Sequence, residues 1–182
     1  MYKRVSIYGG PHSGKSILAA QLYVALKAHK LPVENVDESI KMAAWRKEPI
    51  RSQYHSAAII LKQIEMEDDV TLNGGIVIST GPPLLQCMYM TMRKDMITPH
   101  MWAIAQQYEL ERPSLNVETV RYVTDHFEAA GRYQSNVEEA KAIDNTIAEL
   151  LEQSELPIHI RHFAENLKFT TDKVLDTLSK KE

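Results

Sequence analysis

The chain has 182 residues, 44% of them hydrophobic and 25% charged, and a formal net charge of −3. This size suits one α/β domain with a proper core and is short for two. The mild acidity argues against non-specific nucleic-acid binding, which needs a basic surface, although a local basic groove stays compatible with it.

One cysteine, Cys87, excludes an intrachain disulfide and fits a reducing cytoplasm. The seven histidines are scattered and give no zinc spacing. The sequence enters its first strand directly after Met1-Tyr2-Lys3-Arg4, leaving no room for a signal peptide. Its most apolar stretch, 75–85, is interrupted by Gly81, Pro82 and Pro83 and is too short to span a bilayer. A soluble cytoplasmic protein with no membrane partner is expected.

In chain order, the apolar run Val5-Ser6-Ile7-Tyr8 predicts a strand at about 3–8. Gly9-Gly10-Pro11-His12-Ser13-Gly14-Lys15-Ser16 follows it and spells GxxxxGK[ST], the phosphate-binding P-loop or Walker A motif. A helix to about residue 29 comes next, with Leu18, Leu22, Ala25 and Leu26 as its apolar stripe. Leu31-Pro32 breaks that helix, and 33–36 reads as a second strand ending at Asp37-Glu38. Residues 38–47 and 52–69 look helical, the second helix closing with Glu65, Glu67, Asp68 and Asp69 as a solvated face.

Asn73-Gly74-Gly75 turns into the buried-type strand 76–79, and a helix runs from Pro82-Pro83 to about Arg93. Its Met88, Met90 and Met92, with Met96 beyond, suit a core wall, as does the small apolar Cys87. Trp45 and Trp102 read as packed rather than stacked on a base, and Tyr54 as a minor candidate for touching an acceptor. Thr98-Pro99 starts a further helix. A strand is expected at 115–121, a polar lid segment at 122–135, and a capping box at Ser135-Asn136-Val137-Glu138. Ala140, Ile143, Ile147, Leu150 and Leu151 continue a helical stripe, 157–160 forms a last strand, and 162–179 a C-terminal helix. Strands alternating with helices imply a parallel sheet of about five strands covered on both faces.

A glycine-bearing loop between a strand and a helix aims backbone N–H groups and the positive helix end at one point, which holds a polyphosphate. The loop Gly9, Gly10, Pro11, His12, Ser13, Gly14, Lys15, Ser16 and Ile17 is therefore the expected nucleotide site. Lys15 is suited to the β- and γ-phosphates and the Ser16 hydroxyl to Mg²⁺. ATP and Mg²⁺ are the cofactors this chemistry requires. His12 occupies a variable position of the motif and gains no role of its own.

Phosphoryl transfer also needs a carboxylate to orient an acceptor hydroxyl and arginines to offset developing charge. Ligands in open parallel sheets bind beyond the carboxyl ends of the strands. Asp37 or Glu38 is the candidate carboxylate, Glu38 preferred, on a strand expected to neighbour the P-loop strand. Arg132, in Gly131-Arg132-Tyr133-Gln134, is the candidate lid arginine, and Arg121 a candidate phosphate contact. At Thr80, where such enzymes place an aspartate for Mg²⁺, only hydroxyls are present.

These blocks resemble the small P-loop ATPase/kinase domains of the NadR-like (nicotinamide-riboside-kinase-like) AAA family, in particular compact members encoded by bacteriophages. The resemblance spans most of the chain. It rests on GGPHSGKS, Val36-Asp37-Glu38, Gln63, the block Val77 to Tyr89, Gly131 to Gln134, and Glu139-Ala140 through Leu150. Members read Thr-Asp-Ser-Pro where this chain has Ser79-Thr80-Gly81-Pro82. The resemblance implies ATP-dependent phosphotransfer to a nucleoside-like small molecule, with Glu38 near the acceptor and Arg132 in the lid.

Some phage P-loop kinases act instead on hydroxymethylated pyrimidines in DNA, such as 5-hydroxymethyluracil, which is an alternative acceptor here. A nucleotide-dependent ATPase or switch without an acceptor is a further alternative, motivated by Thr80. The methionine-rich and C-terminal helices also offer surfaces for a homo-oligomer.

Overall fold

The computed structural model describes residues 2–92, 96–121 and 136–179. Five strands form one wholly parallel sheet: β1 (Arg4–Tyr8), β2 (Val33–Val36), β3 (Ile76–Ser79), β4 (Leu115–Thr119) and β5 (Ile160–His162), in the spatial order β2-β3-β1-β4-β5. Central strand β1 is buried at every residue, as a strand covered on both faces must be.

One face carries α1 (Lys15–Ala28) and α7 (Leu167–Ser179). Leu18, Leu22, Leu26, Val174 and Leu178 pack there on Val5, Ile7, Ile78 and Val117. The other face carries α3 (Gln53–Thr71), α4 (Pro83–Thr91), α5 (Pro99–Glu111) and α6 (Val137–Gln153), joined through Ile60, Leu84, Leu85, Met88, Met101, Ala105, Ile147 and Leu151. The short α2 (Ser39–Trp45) connects β2 to α3, with Ile40 packing near Ile59 and Met90. The fold is thus the doubly covered α/β sheet expected, and Met88, Met90 and Cys87 are core. Burial pushes the Cys87 thiol up to about 12.

Helix starts follow local chemistry. Ser52 Oγ accepts from His55 N at 3.3 Å, and Thr98 Oγ1 accepts from Met101 N at 3.4 Å with Pro99 in the first turn. At α6 the cap lies one residue later than the expected box: Asn136 Oδ1 accepts from Glu139 N at 2.9 Å. An asparagine side chain closes an N-cap as well as serine does, so composition alone leaves the register open.

The last strand also begins later than 157–160. Pro157 has no N–H, and Asn116 engages the approaching chain by donating from Nδ2 to Pro157 O and from its backbone to His159 Nδ1. Ladder pairing begins only where Ile160 sits opposite Val117. A 3₁₀ turn over Ala164–Asn166 then precedes α7.

Three expectations are overturned. β2 is not beside β1; β3 lies between them and makes β2 the edge strand. Trp45 is exposed rather than packed, while Trp102 does pack on the second core cluster. Among the acids closing α3, Glu65 and Asp69 are exposed but Glu67 is fully buried. It faces the sheet, where it accepts from Arg4 Nε at 2.8 Å, Ser79 Oγ at 2.5 Å and Gln63 Nε2 at 3.1 Å. Arg4 completes the network with two bonds to Glu109, at 3.0 and 3.1 Å, and its guanidinium lies 4.5 Å from the Tyr108 ring centroid. A buried charge persists only when paired this fully.

Candidate functional site

Residues 9–14 link the carboxyl end of β1 to α1, and their backbone turns sharply. Gly9, His12 and Gly14 have φ of 142°, 62° and 94°, in or near the left-handed region, and Gly14 is the N-cap of α1. Because Gly14 has no side chain to cap the helix, the first-turn amides are left for an external acceptor. The loop is braced from behind: Ser13 Oγ lies 2.7 Å from Thr119 Oγ1, which donates to Tyr8 O at 3.0 Å. Ser16 and Ile17, at the helix start, face solvent.

Lys15 is 6% exposed and its ammonium folds back on the loop. Nζ donates at 3.0 Å to Gly9 O, Gly10 O and the Tyr89 hydroxyl, and stands 3.3 Å from Glu38 Oε1. Burial works to lower the pKa of this amine, but the charges and hydrogen bonds of Glu38 and Tyr89 together raise it above the usual lysine range. Lys15 is therefore held as a cation. Tyr89 donates to Gly9 O at 2.9 Å, and burial pushes its phenol up to about 12 although Lys15 opposes this.

Glu38 reaches Lys15 across an intervening strand, which explains how an edge strand can serve the loop. The crossing runs over Gly81, just past β3. A Cβ added there would stand 2.5 Å from Glu38 Cγ and 2.8 Å from its Cα. Only a glycine lets the two backbones meet so closely. Ser39 ties the same turn down, its N–H donating to Gln63 Oε1 at 2.9 Å and its hydroxyl to Ile59 O at 2.9 Å. Asp37, next door, is exposed and does not join the cluster. Of the two candidate carboxylates, Glu38 is the one at the loop.

Arg121 follows β4 and reaches the loop from the opposite side. Its Nη2 donates to Pro11 O at 2.5 Å, and Nε and Nη2 both pair with the Asp144 carboxylate of α6. The Asp144 carboxylate occupies the space that a Cβ on Gly10 would need. Arg132 and the candidate lid at 122–135 lie outside the described residues. Tyr54 is 80% exposed.

Ser79 is the last residue of β3, and Thr80 follows it. Ser79 is spent on Glu67 and Gln63. Thr80, just past the strand and buried to 1% exposure, has a hydroxyl with no hydrogen-bond partner among the described residues. No group of three or more His, Cys, Asp or Glu residues that could hold a metal occurs among the described residues. The oxygens available are the Ser16 and Thr80 hydroxyls and the Glu38 carboxylate. Mg²⁺ keeps several waters and takes only one or two protein oxygens beside substrate phosphates, so this set fits a magnesium ion arriving with a nucleotide.

Tyr89, Asp144, Gly81 and Thr119 were not singled out from sequence, yet each shapes the loop's surroundings. Tyr89 was detectable as the one phenol in the mostly apolar helix α4, and Asp144 as an acid flanking the Ala140–Ile147 stripe. Gly81 carried no local signal, because its neighbour Glu38 is distant in sequence.

No protein-family profile matches the chain, and no curated protein matches it. Solved structures do. A point mutant of the APS kinase CysC from Mycobacterium tuberculosis superposes with a TM-score of 0.53 at 13% identity, covering 98% of this chain and 99% of that one. The protein APE1195 superposes with a TM-score of 0.54 at 13% identity, covering 97% and 94%. At this identity the likeness shows the fold alone, a parallel α/β sheet covered by helices on both faces, and it extends over nearly the full length of both chains. It supports neither the NadR-like subfamily nor a phage origin. Among the described residues no helix is long and apolar enough to cross a membrane.

Proposed function

We propose that the chain is an ATP-dependent phosphotransferase whose acceptor is a hydroxyl of a nucleoside, nucleotide or modified base. The observation that carries this reading is the meeting of Lys15 and Glu38, 3.3 Å apart, at the loop that opens α1. One is a cation suited to a polyphosphate, the other a carboxylate suited to an acceptor O–H. Phosphoryl transfer uses a group of each kind.

The amides of the first α1 turn and Lys15 would bind the phosphates, and the Ser16 hydroxyl would be the protein oxygen offered to magnesium. Bound ATP supplies an activated phosphoryl group, and Mg²⁺ offsets its charge. Glu38 orients the acceptor and takes its proton. Arg121, aimed by Asp144, stabilises negative charge at the loop, with Arg132 of the 122–135 segment as its counterpart. A small nucleoside-like acceptor, of the nicotinamide-riboside kind, is favoured over a base in DNA because the chain is net acidic, at −3.

Thr80 favours a second reading, in which the chain hydrolyses ATP as a switch, because the strand end lacks a carboxylate for the metal. One experiment separates the two: labelled ATP with a nucleoside panel and hydroxymethyluracil-containing DNA, each against buffer alone. Transfer of label to one acceptor, lost in Lys15→Ala, supports the kinase. Hydrolysis indifferent to every acceptor supports the switch.

A further inference from the structure

We infer that Tyr89 is a positioning residue that, together with Glu38, clasps Lys15 in a resting place, so that polyphosphate binding and the freeing of Glu38 are one coupled event. This rests on the nucleotide-site reading above.

The argument starts from the donors and acceptors around one ammonium. Lys15 has three N–H bonds to give, and four oxygens surround it: Gly9 O, Gly10 O, Tyr89 Oη and Glu38 Oε1. Its hydrogen-bonding capacity is filled without any ligand. The Tyr89 proton is committed to Gly9 O, which leaves the phenol oxygen as an acceptor facing Lys15. The two clasping side chains come from different elements, Glu38 from the turn after β2 and Tyr89 from α4. Neither belongs to the loop.

A phosphate that recruits Lys15 must therefore draw it away from Tyr89 and Glu38. The loop then keeps one of its ties, because Tyr89 still donates to Gly9 O while Lys15 leaves. Glu38 loses its cationic partner at the same moment and becomes available to an acceptor hydroxyl. Before that moment the carboxylate is paired to Lys15, so an acceptor arriving first competes with an ion pair. Nucleotide before acceptor is the binding order this arrangement produces.

Removing a clasp raises the free energy of the resting state more than that of the phosphate-bound state, so affinity for phosphates must increase. Inorganic tripolyphosphate and ATP are titrated calorimetrically into the wild type, Tyr89→Phe and Glu38→Gln, with adenosine as a ligand lacking phosphate. Thermal unfolding of each variant is recorded alongside. Tyr89→Phe is expected to bind tripolyphosphate about fivefold tighter, the net worth of one typical intramolecular hydrogen bond. Glu38→Gln is expected to bind about tenfold tighter, with repulsion relieved as well. Adenosine affinity stays unchanged in Tyr89→Phe.

Equal or weaker tripolyphosphate binding in a variant that still unfolds cooperatively overturns the clasp. Should Tyr89→Phe fail to fold, the Glu38→Gln result alone decides by the same criterion. A wild type that binds neither ATP nor tripolyphosphate sinks the nucleotide-site reading itself, and the clasp with it. Normal wild-type binding without tightening sinks only the clasp.

Discussion

Arg4 and Lys15 bracket the same strand, one at the start of β1 and the other just past its end. Both are buried cations, at 1% and 6% exposure. Their partners differ in kind. Arg4 is gripped by two carboxylates, Glu67 and Glu109, that are themselves buried and bonded to Ser79, Gln63 and Ser114. Lys15 has one carboxylate, which is partly exposed, plus a phenol and two loop carbonyls. On the proposed reading a phosphate displaces the second set, whereas the first is closed to it. Saturated partners make a cation structural, and replaceable partners leave it available for chemistry.

The comparison is broken most forcefully at Arg4. Arg4→Met leaves Glu67 and Glu109 buried without a counter-charge and is expected to cost about 3–5 kcal/mol in urea unfolding. Nucleotide affinity of the molecules that remain folded stays within about twofold of wild type. If Arg4→Met kept its stability and lost nucleotide binding instead, the division between the two ends would be wrong.

Gly81→Ala comes next. The new methyl group collides with Glu38, and such overpacking costs about 1–3 kcal/mol. Its sharper signature is in turnover, expected to fall by about a hundredfold because a displacement of about 1 Å at a reacting group has that effect. Steady-state kinetics beside thermal unfolding tells the two apart. A Gly81→Ala protein with wild-type turnover would show that Glu38 need not be held at the loop.

Asp144→Asn leaves Arg121 with a neutral partner in place of a carboxylate. About tenfold lower turnover is expected with stability changed by less than about 1 kcal/mol, since the pair is partly exposed. Wild-type turnover would reduce the Arg121–Asp144 pair to a surface bridge.

How much of this was legible in sequence depends on how far apart the interacting residues lie. The loop, β1, α1 and the buried run 76–79 announce themselves within a few residues, through composition and a 3.6-residue stripe. Glu38 was readable as an acid at a strand end. Its strand's place at the sheet edge was not, because strand order is set by pairing between segments some forty residues apart, as with Val33 opposite Ile76. Tyr89, Gly81 and Asp144 matter only through partners on other elements. Glu67 misled for the same reason: acids at a helix end read as solvated until Arg4, 63 residues earlier, is brought against one.

The smallest expected effect concerns pH. Burial, then the charge of Lys173, holds the His159 imidazole below the usual histidine value of 6.5, and its Nδ1 accepts from Asn116 N at 3.0 Å, which requires the neutral ring. Burial also lowers His162, against the opposing charge of Glu165. A lowered folded value means that the unfolded chain binds more protons, so this stability is full above pH 6.5 and is lost as pH falls. His159→Gln should flatten the decline in melting temperature as pH falls below 6.5 without abolishing it. An unaltered slope would remove His159 from the account.

The most direct measurement is phosphoryl transfer by Glu38→Gln set beside its nucleotide affinity, in the acceptor assay that the wild type supports. With Glu38 as the proton acceptor beside Lys15, turnover falls by about 10²–10⁴-fold while nucleotide binding is kept or improved. Turnover equal to the wild type, with nucleotide bound, would contradict it.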